Sequence, residues 1–181
     1  ATKENNFLPD FSSVPKNLLE KAAVIYVCSP SNPQGSIASE NYWVNLLNLA
    51  EKFNIRIFAD ECYSEIYRHQ QPIGILEVGK KIKANPERIV SFHSLSKRSN
   101  VAGLRSGFVA SGPENIKAMK RLRAYAGAPL PLPLQRVAEQ LWKDEKHVEI
   151  NRNLYNEKFK IADKIFSQVP SYSSPLGGFF L

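Results

Sequence analysis

The sequence predicts an α/β layered domain. Three observations predict it: short apolar-rich runs the length of buried strands, a helical apolar stripe between the first two, and polar clusters where the runs stop. The first twenty residues, with Pro9 and Pro15 among polar neighbours, read as an irregular lead-in. Ala23 to Cys28, AVIYVC, is a continuous apolar run closed by Ser29-Pro30, as a buried parallel strand would be. Ser31-Asn32-Pro33-Gln34-Gly35 packs turn formers together, and Ser39 is placed to cap a helix. Trp43, Leu46, Leu47, Ala50 and Phe53 then recur at helical spacing and would face a core. Ile55 to Ala59 reads as a second strand running directly into Asp60-Glu61, and Arg88 to Phe92 as a third, delivering the polar segment His93 to Asn100. Leu104 to Ala110 reads as a fourth, with Arg105 near its start, followed by Gly112-Pro113 and a helix to about Tyr125.

Beyond Gly127 the run Ala128-Pro129-Leu130-Pro131-Leu132-Pro133 breaks the chain before a helix ending near Lys143. A long helix is predicted over His147 to Gln168, with Tyr155, Phe159, Ala162, Phe166 and Val169 on one stripe. A helix of that length bridges to another unit, so the boundary is placed near Asn151, dividing 1–150 from 151–181. Ser173 to Leu181 reads as a new strand that stops on Phe179-Phe180-Leu181, and the chain reads as cut short there.

With 181 residues, 43% hydrophobic and 23% charged, the composition is that of a globular domain with part of a second. No apolar run reaches the roughly 18 residues of a membrane span, and the first ten residues lack a leader pattern. A cytoplasmic protein without membrane contact is expected. Lys and Arg total 24 against 17 acids, a net +7. The densest basic stretch, Lys117 to Arg123, reads as a solvated helix face, since no nucleic-acid motif accompanies it; no nucleic-acid partner is expected. Cys28 and Cys62 are expected to be buried or half-buried thiols in a reducing compartment, and His69, His93 and His147 are too scattered for a metal site.

In sheets of this class the ligand lies beyond the carboxyl ends of the strands. That rule brings Asn32, then Asp60 and Tyr63, then Ser94 to Lys97 to one place. Two serines with Arg105 suit a phosphate dianion, since hydroxyls donate hydrogen bonds and a guanidinium pairs bidentately. Ser94-Leu95-Ser96-Lys97 also fits S-x-x-K of acyl-transfer serines, but that chemistry expects a later K-T-G, which is lacking, and a serine opening a helix.

SNPQG at 31–35, ADECY at 59–63 and SFHSLSKRSNVAGLRSG at 91–107, in this order at strand ends, resemble the fold-type I, class I/II pyridoxal-phosphate aminotransferases. Gln34 stands where many relatives carry threonine. The resemblance implies part of a three-layer α/β large domain, with the second half of that domain over 1–150 and the entry to a small α+β domain over 151–181. It implies that Lys97 bonds covalently to the aldehyde of pyridoxal 5'-phosphate and moves protons, and that Asp60 pairs with the pyridinium nitrogen. Tyr63 and Asn32 would reach the phenolic oxygen, and Ser94, Ser96 and Arg105 would hold the phosphate. Gly35, Gly103 and Gly107 are assigned turns and close packing. Substrates would be an amino acid and a 2-oxo acid, and the complete enzyme a homodimer.

SLSKRSN, AGLRSG and LWKDEKHVEINRNLYNEKF are similar to the N-succinyldiaminopimelate aminotransferase branch, which moves an amino group between glutamate and N-succinyl-2-amino-6-oxopimelate in lysine biosynthesis. An aspartate or broad-specificity aminotransferase is the alternative within the family. A non-catalytic sensor domain of a transcription regulator is the alternative outside it, although no helix-turn-helix is visible. The family's phosphate loop, ring-stacking aromatic and carboxylate-binding arginine lie outside this sequence, so the chain alone is expected to be inactive.

Overall fold

Three parallel strands and one antiparallel strand form a single sheet in the order β1-β2-β3-β4 in a computed structural model that describes residues 1–181. The strands are β1 (Val24–Cys28), β2 (Arg56–Asp60), β3 (Ile89–Ser94) and β4 (Gly107–Ser111). Cys28 lies opposite Asp60, and Asp60 opposite Phe92, so β1 to β3 end together at one edge. β4 starts from that same edge, with Gly107 opposite Ser94. Gly107 is required there, because a Cβ would stand 2.5 Å from the His93 carbonyl oxygen.

Side chains alternate across the pleat. Ile25, Val27, Ile57, Ala59 and Ile89 face one side and join the main core. Helices α2 (Glu40–Phe53) and α3 (Ile75–Lys81) supply the other half of that core. Ser39 caps α2 by accepting from the Tyr42 amide at 3.2 Å, and the predicted stripe of Trp43, Leu46, Leu47 and Ala50 is buried. Phe53, one turn on, is half-buried. Burial of Leu46 and Leu47 contributes roughly 1.5–3 kcal/mol each. The opposite face carries a row of aromatic rings, Tyr26, Phe58 and Phe92, at centroid spacings of 5.2 and 5.4 Å.

The remaining helices are α1 (Lys16–Leu19), α4 (Leu95–Arg98), α5 (Pro113–Tyr125), α6 (Leu132–Lys143) and α7 (Lys146–Phe166). The basic stretch of α5 is solvated, with Lys117, Lys120, Arg121 and Arg123 exposed. Along the predicted stripe of α7, Phe159 and Ala162 are buried, whereas Phe166 and Val169 are 38% and 42% exposed.

Three expectations need correction. The fourth strand begins at Gly107 rather than Leu104, because Ala102–Leu104 closes a short 3-10 turn first. Gly103 sits in that turn facing open space and serves no close packing. Residues 173–181 form no strand: Gly177 makes one isolated antiparallel bridge to Tyr67, and the half-buried rings of Phe179 and Phe180 pack on Tyr63 instead of extending a sheet. One element, α3, carries no local signal in the sequence, since its first turn is capped from a distance. Glu61, only 4% exposed, accepts from the Ile75 amide at 3.0 Å, and the residue before the helix is glycine.

Candidate active site

Each predicted polar residue leaves the sheet at its carboxyl edge. Asp60 is the last residue of β2 and lies on the aromatic face, opposite to Ile57 and Ala59. Its carboxylate accepts from the Cys62 amide at 3.1 Å, which fixes the turn into Tyr63. Tyr63 is buried to 7% exposure, and its hydroxyl accepts a hydrogen bond from Asn32 Nδ2 at 3.1 Å. Burial holds the Tyr63 phenol above its ordinary range, while the Asn32 donor pulls the other way. The two cysteines bracket Asp60. Burial, and then the Asp60 carboxylate, push Cys28 up to about 11 and Cys62 up to about 12, so both are neutral, half-buried thiols.

Lys97 is delivered by α4, a single turn whose N-cap is Ser94. Ser94 Oγ accepts from the Ser96 amide at 3.1 Å and reaches the Ser106 carbonyl at 3.4 Å. Ser94 therefore does open a helix, which removes one objection to the acyl-transfer reading; the missing K-T-G still stands against it. Lys97 Nζ lies 5.9 Å from the Tyr63 ring centre and 4.9 Å from that of Phe179.

The structure thus brings Asn32, Tyr63 and Lys97 into one cluster, with Asp60 beside it and Ser94 and Ser96 on the lysine's own turn. Arg105 is the exception. It is not at the start of a strand but in the left-handed region, at φ 56°, ahead of β4. Its exposed guanidinium donates to the Ala102 carbonyl of its own turn at 2.8 Å, and not to the two serines. His93 points to the other side of the sheet, 2.9 Å from Ser91 and stacked on Phe108, away from Lys97.

Sequence reasoning missed the wall of the site. Phe179 and Phe180 pack on Tyr63 at centroid distances of 5.6 and 5.8 Å, and Phe179 stacks on Tyr155 of α7 at 5.6 Å. The segment is held by backbone bonds, Gly177 to the Gly35 carbonyl at 2.9 Å and Gly178 to the Ile66 carbonyl at 2.8 Å. Gly35 is required at this crossing: its φ is +67°, and a Cβ would stand 2.5 Å from the Gly177 carbonyl oxygen. The only sequence signal was the apolar end of the chain, and that same run was read as a strand.

As a donor set, an amine, a carboxylate, a phenol with an amide partner, and hydroxyls beside a helix turn suit an aromatic ligand bearing a cationic ring nitrogen, an oxyanion and a phosphate. Comparison with known proteins identifies the family. Residues 1–174 match the family described as Aminotransferase class I and II. An LL-diaminopimelate aminotransferase of Dehalococcoides mccartyi is 35% identical over 138 residues, which is 75% of this chain and 34% of that protein. An aminotransferase from Neisseria meningitidis superposes with a TM-score of 0.91 at 39% identity, covering 96% of this chain and 44% of that one. A Thermus thermophilus protein named "probable N-succinyldiaminopimelate aminotransferase" superposes at 0.85 with 25% identity, covering 94% and 46%. This chain therefore spans less than half the length of each of these relatives.

Proposed function

We propose, from the premise that this chain belongs to the class I and II aminotransferases, that it carries the lysine-bearing part of a pyridoxal-phosphate transaminase. The family depends on that cofactor, and the residues at the sheet edge fit it. Lys97 would be the attachment point and the group that holds and moves the proton, and Asp60 would pair with the ring nitrogen. Tyr63, with Asn32, would hold the phenolic oxygen, and Ser94, Ser96 and Arg105 would hold the phosphate, Arg105 after turning away from Ala102. When bound, the cofactor supplies an electron sink for the substrate's α-carbon. The neutral thiols of Cys28 and Cys62 add no charge beside Asp60, so its carboxylate is free to pair with a cation. Phe179, Phe180 and Tyr155 form an aromatic wall on the lysine's side.

The observation that carries this reading is the meeting of Asn32, Tyr63 and Lys97 from the ends of three parallel strands. The substrates are an amino acid and a 2-oxo acid, and the pair we favour is glutamate with N-succinyl-2-amino-6-oxopimelate, in a homodimer. The Thermus likeness supports the succinylated substrate. The Dehalococcoides relative supports a second reading, in which unsubstituted LL-diaminopimelate is the amino donor. The division into a cofactor domain over 1–150 and the entry to a small domain over 151–181 belongs to the same proposal.

The test is borohydride reduction with pyridoxal phosphate followed by peptide mapping. Label concentrated on Lys97, and lost in Lys97→Ala, is the expected result. Label spread evenly over the lysines would overturn the assignment. Turnover of succinylated against unsubstituted diaminopimelate by the complete enzyme then separates the two substrate readings.

A further inference from the structure

Four consecutive residues, starting at the proposed cofactor lysine, are tied to one place. The Lys97 carbonyl accepts from Asn151 Nδ2 at 3.5 Å. Arg98, 6% exposed, donates to the Leu141 carbonyl at 2.8 Å and also to Glu145. Ser99 Oγ lies 2.8 Å from His147 Nε2, and Asn100 Nδ2 donates to Asn151 Oδ1 at 2.6 Å. Every partner belongs to the junction of α6 and α7. His147 is itself oriented: its Nδ1 lies 2.8 Å from Asp144 Oδ2, and the other carboxylate oxygen accepts from the Lys146 amide at 2.9 Å.

We propose that the chain Asp144–His147–Ser99, together with Asn151, is a positioning device for Lys97. It rests on the reading of Lys97 as the cofactor lysine. The need for such a device is physical. One helical turn has no stability of its own, so α4 cannot fix the backbone from which Lys97 projects. Its direction must be set by what the turn leans on, and the α6–α7 junction is what every residue from 97 to 100 leans on. The Asp144 carboxylate fixes the imidazole ring in orientation, as a carboxylate fixes a histidine ligand or base. His147 then presents its second nitrogen to Ser99.

The order Asp–His–Ser is also that of a nucleophilic triad. Here, however, Ser99 is buried and its oxygen also receives Arg98 at 3.4 Å, so the serine is a tether and not a nucleophile. The charged groups around the ring are Asp144, Glu145 and Lys146 on its own segment and Arg98 from α4, and Arg98 is already engaged by Glu145.

Two substitutions separate holding Lys97 from merely starting α7. The amide nitrogen of Asn overlays His Nδ1, and that of Gln overlays Nε2. His147→Asn therefore keeps the Asp144 contact and loses Ser99, whereas His147→Gln does the reverse. Hydrogen exchange of the 95–101 peptide is expected to quicken about fivefold, the factor one hydrogen bond carries, in His147→Asn and to stay within about twofold in His147→Gln. The selectivity of borohydride-trapped pyridoxal phosphate for Lys97 over the chain's other lysines should fall in the same order. Thermal stability should follow the opposite order if the ring served only the start of α7. Equal exchange in the two variants, or faster exchange in His147→Gln, would overturn the inference. An absence of Lys97 selectivity in the unaltered chain would instead overturn the cofactor reading, and exchange alone would then decide the positioning.

Discussion

Asn32 and Tyr63 are separated by the helix α2 and the strand β2, yet their side chains meet at 3.1 Å because β1 and β2 end in register. That pair is a direct test of the site. Removing either partner, by Asn32→Ala or Tyr63→Phe, is expected to cost about 1 kcal/mol in chemical denaturation. The double variant should cost little more than either single one, leaving a coupling of about 1 kcal/mol; strict additivity would mean the contact does not form in solution. Legibility at this scale followed position in the fold. The gathering of Asn32, Asp60, Tyr63, Ser94 and Lys97 at one sheet edge is legible because each stands at or just past a strand end, and the strand-end rule needs nothing more. The strand start expected around Arg105 fails because that residue is left-handed, at φ 56°, which breaks the extended reading, and an arginine gives no local sign of it. His147 and Asn151 were invisible as partners of the lysine loop, since the pairing exists only once α7 has docked.

Among the elements, those legible in the sequence carry their own signals. β1 is an unbroken apolar run, β2 carries Ile57-Phe58-Ala59 between Arg56 and Asp60, and α2 has both its stripe and Ser39 at its start. Helices that borrow a cap from elsewhere were harder. Both α3 and α5 follow a glycine and are capped by remote glutamates, Glu61 for α3 and Glu87 for α5, the latter accepting from the Glu114 and Asn115 amides at 3.0 Å each. Pro113 after Gly112 still announced α5, while α3 had nothing comparable. The far end of α7 is latched by Asp163, which accepts from Arg68 Nη2, the Tyr172 hydroxyl and the Ser174 hydroxyl at 2.6 Å each. The Ser174 and Tyr172 hydroxyls, and then Arg68, hold its carboxyl down at about 2, against an ordinary value of 3.8. A lowered folded value means that the latch contributes its full stability above pH 3.8 and loses it as pH falls through about 2. Melting temperatures of the parent and Asp163→Asn should therefore differ by a constant amount above pH 4.5 or so and converge toward about pH 2. A difference that persists undiminished at the acid end would refute the latch.

Over the whole molecule the sheet is asymmetric. Ile57 is fully buried on the helix side, whereas Tyr26 is 73% exposed at the edge of the aromatic row. Ile57→Ala is expected to cost about 2–5 kcal/mol, and Tyr26→Thr less than about 0.5 kcal/mol, in equilibrium denaturation. Comparable losses at the two positions would mean that the aromatic face is covered in solution. The backbone bonds of Gly177 and Gly178 to Gly35 and Ile66 have a consequence in time as well as in space. The lysine's turn leans on segments made shortly after it, but its aromatic wall is written near the end of this sequence. At synthesis rates of about 5–20 residues per second, Phe179 is joined roughly 4–16 s after Lys97. A nascent chain therefore presents its amine to the surrounding metabolites well before the ring that will shelter it has been made.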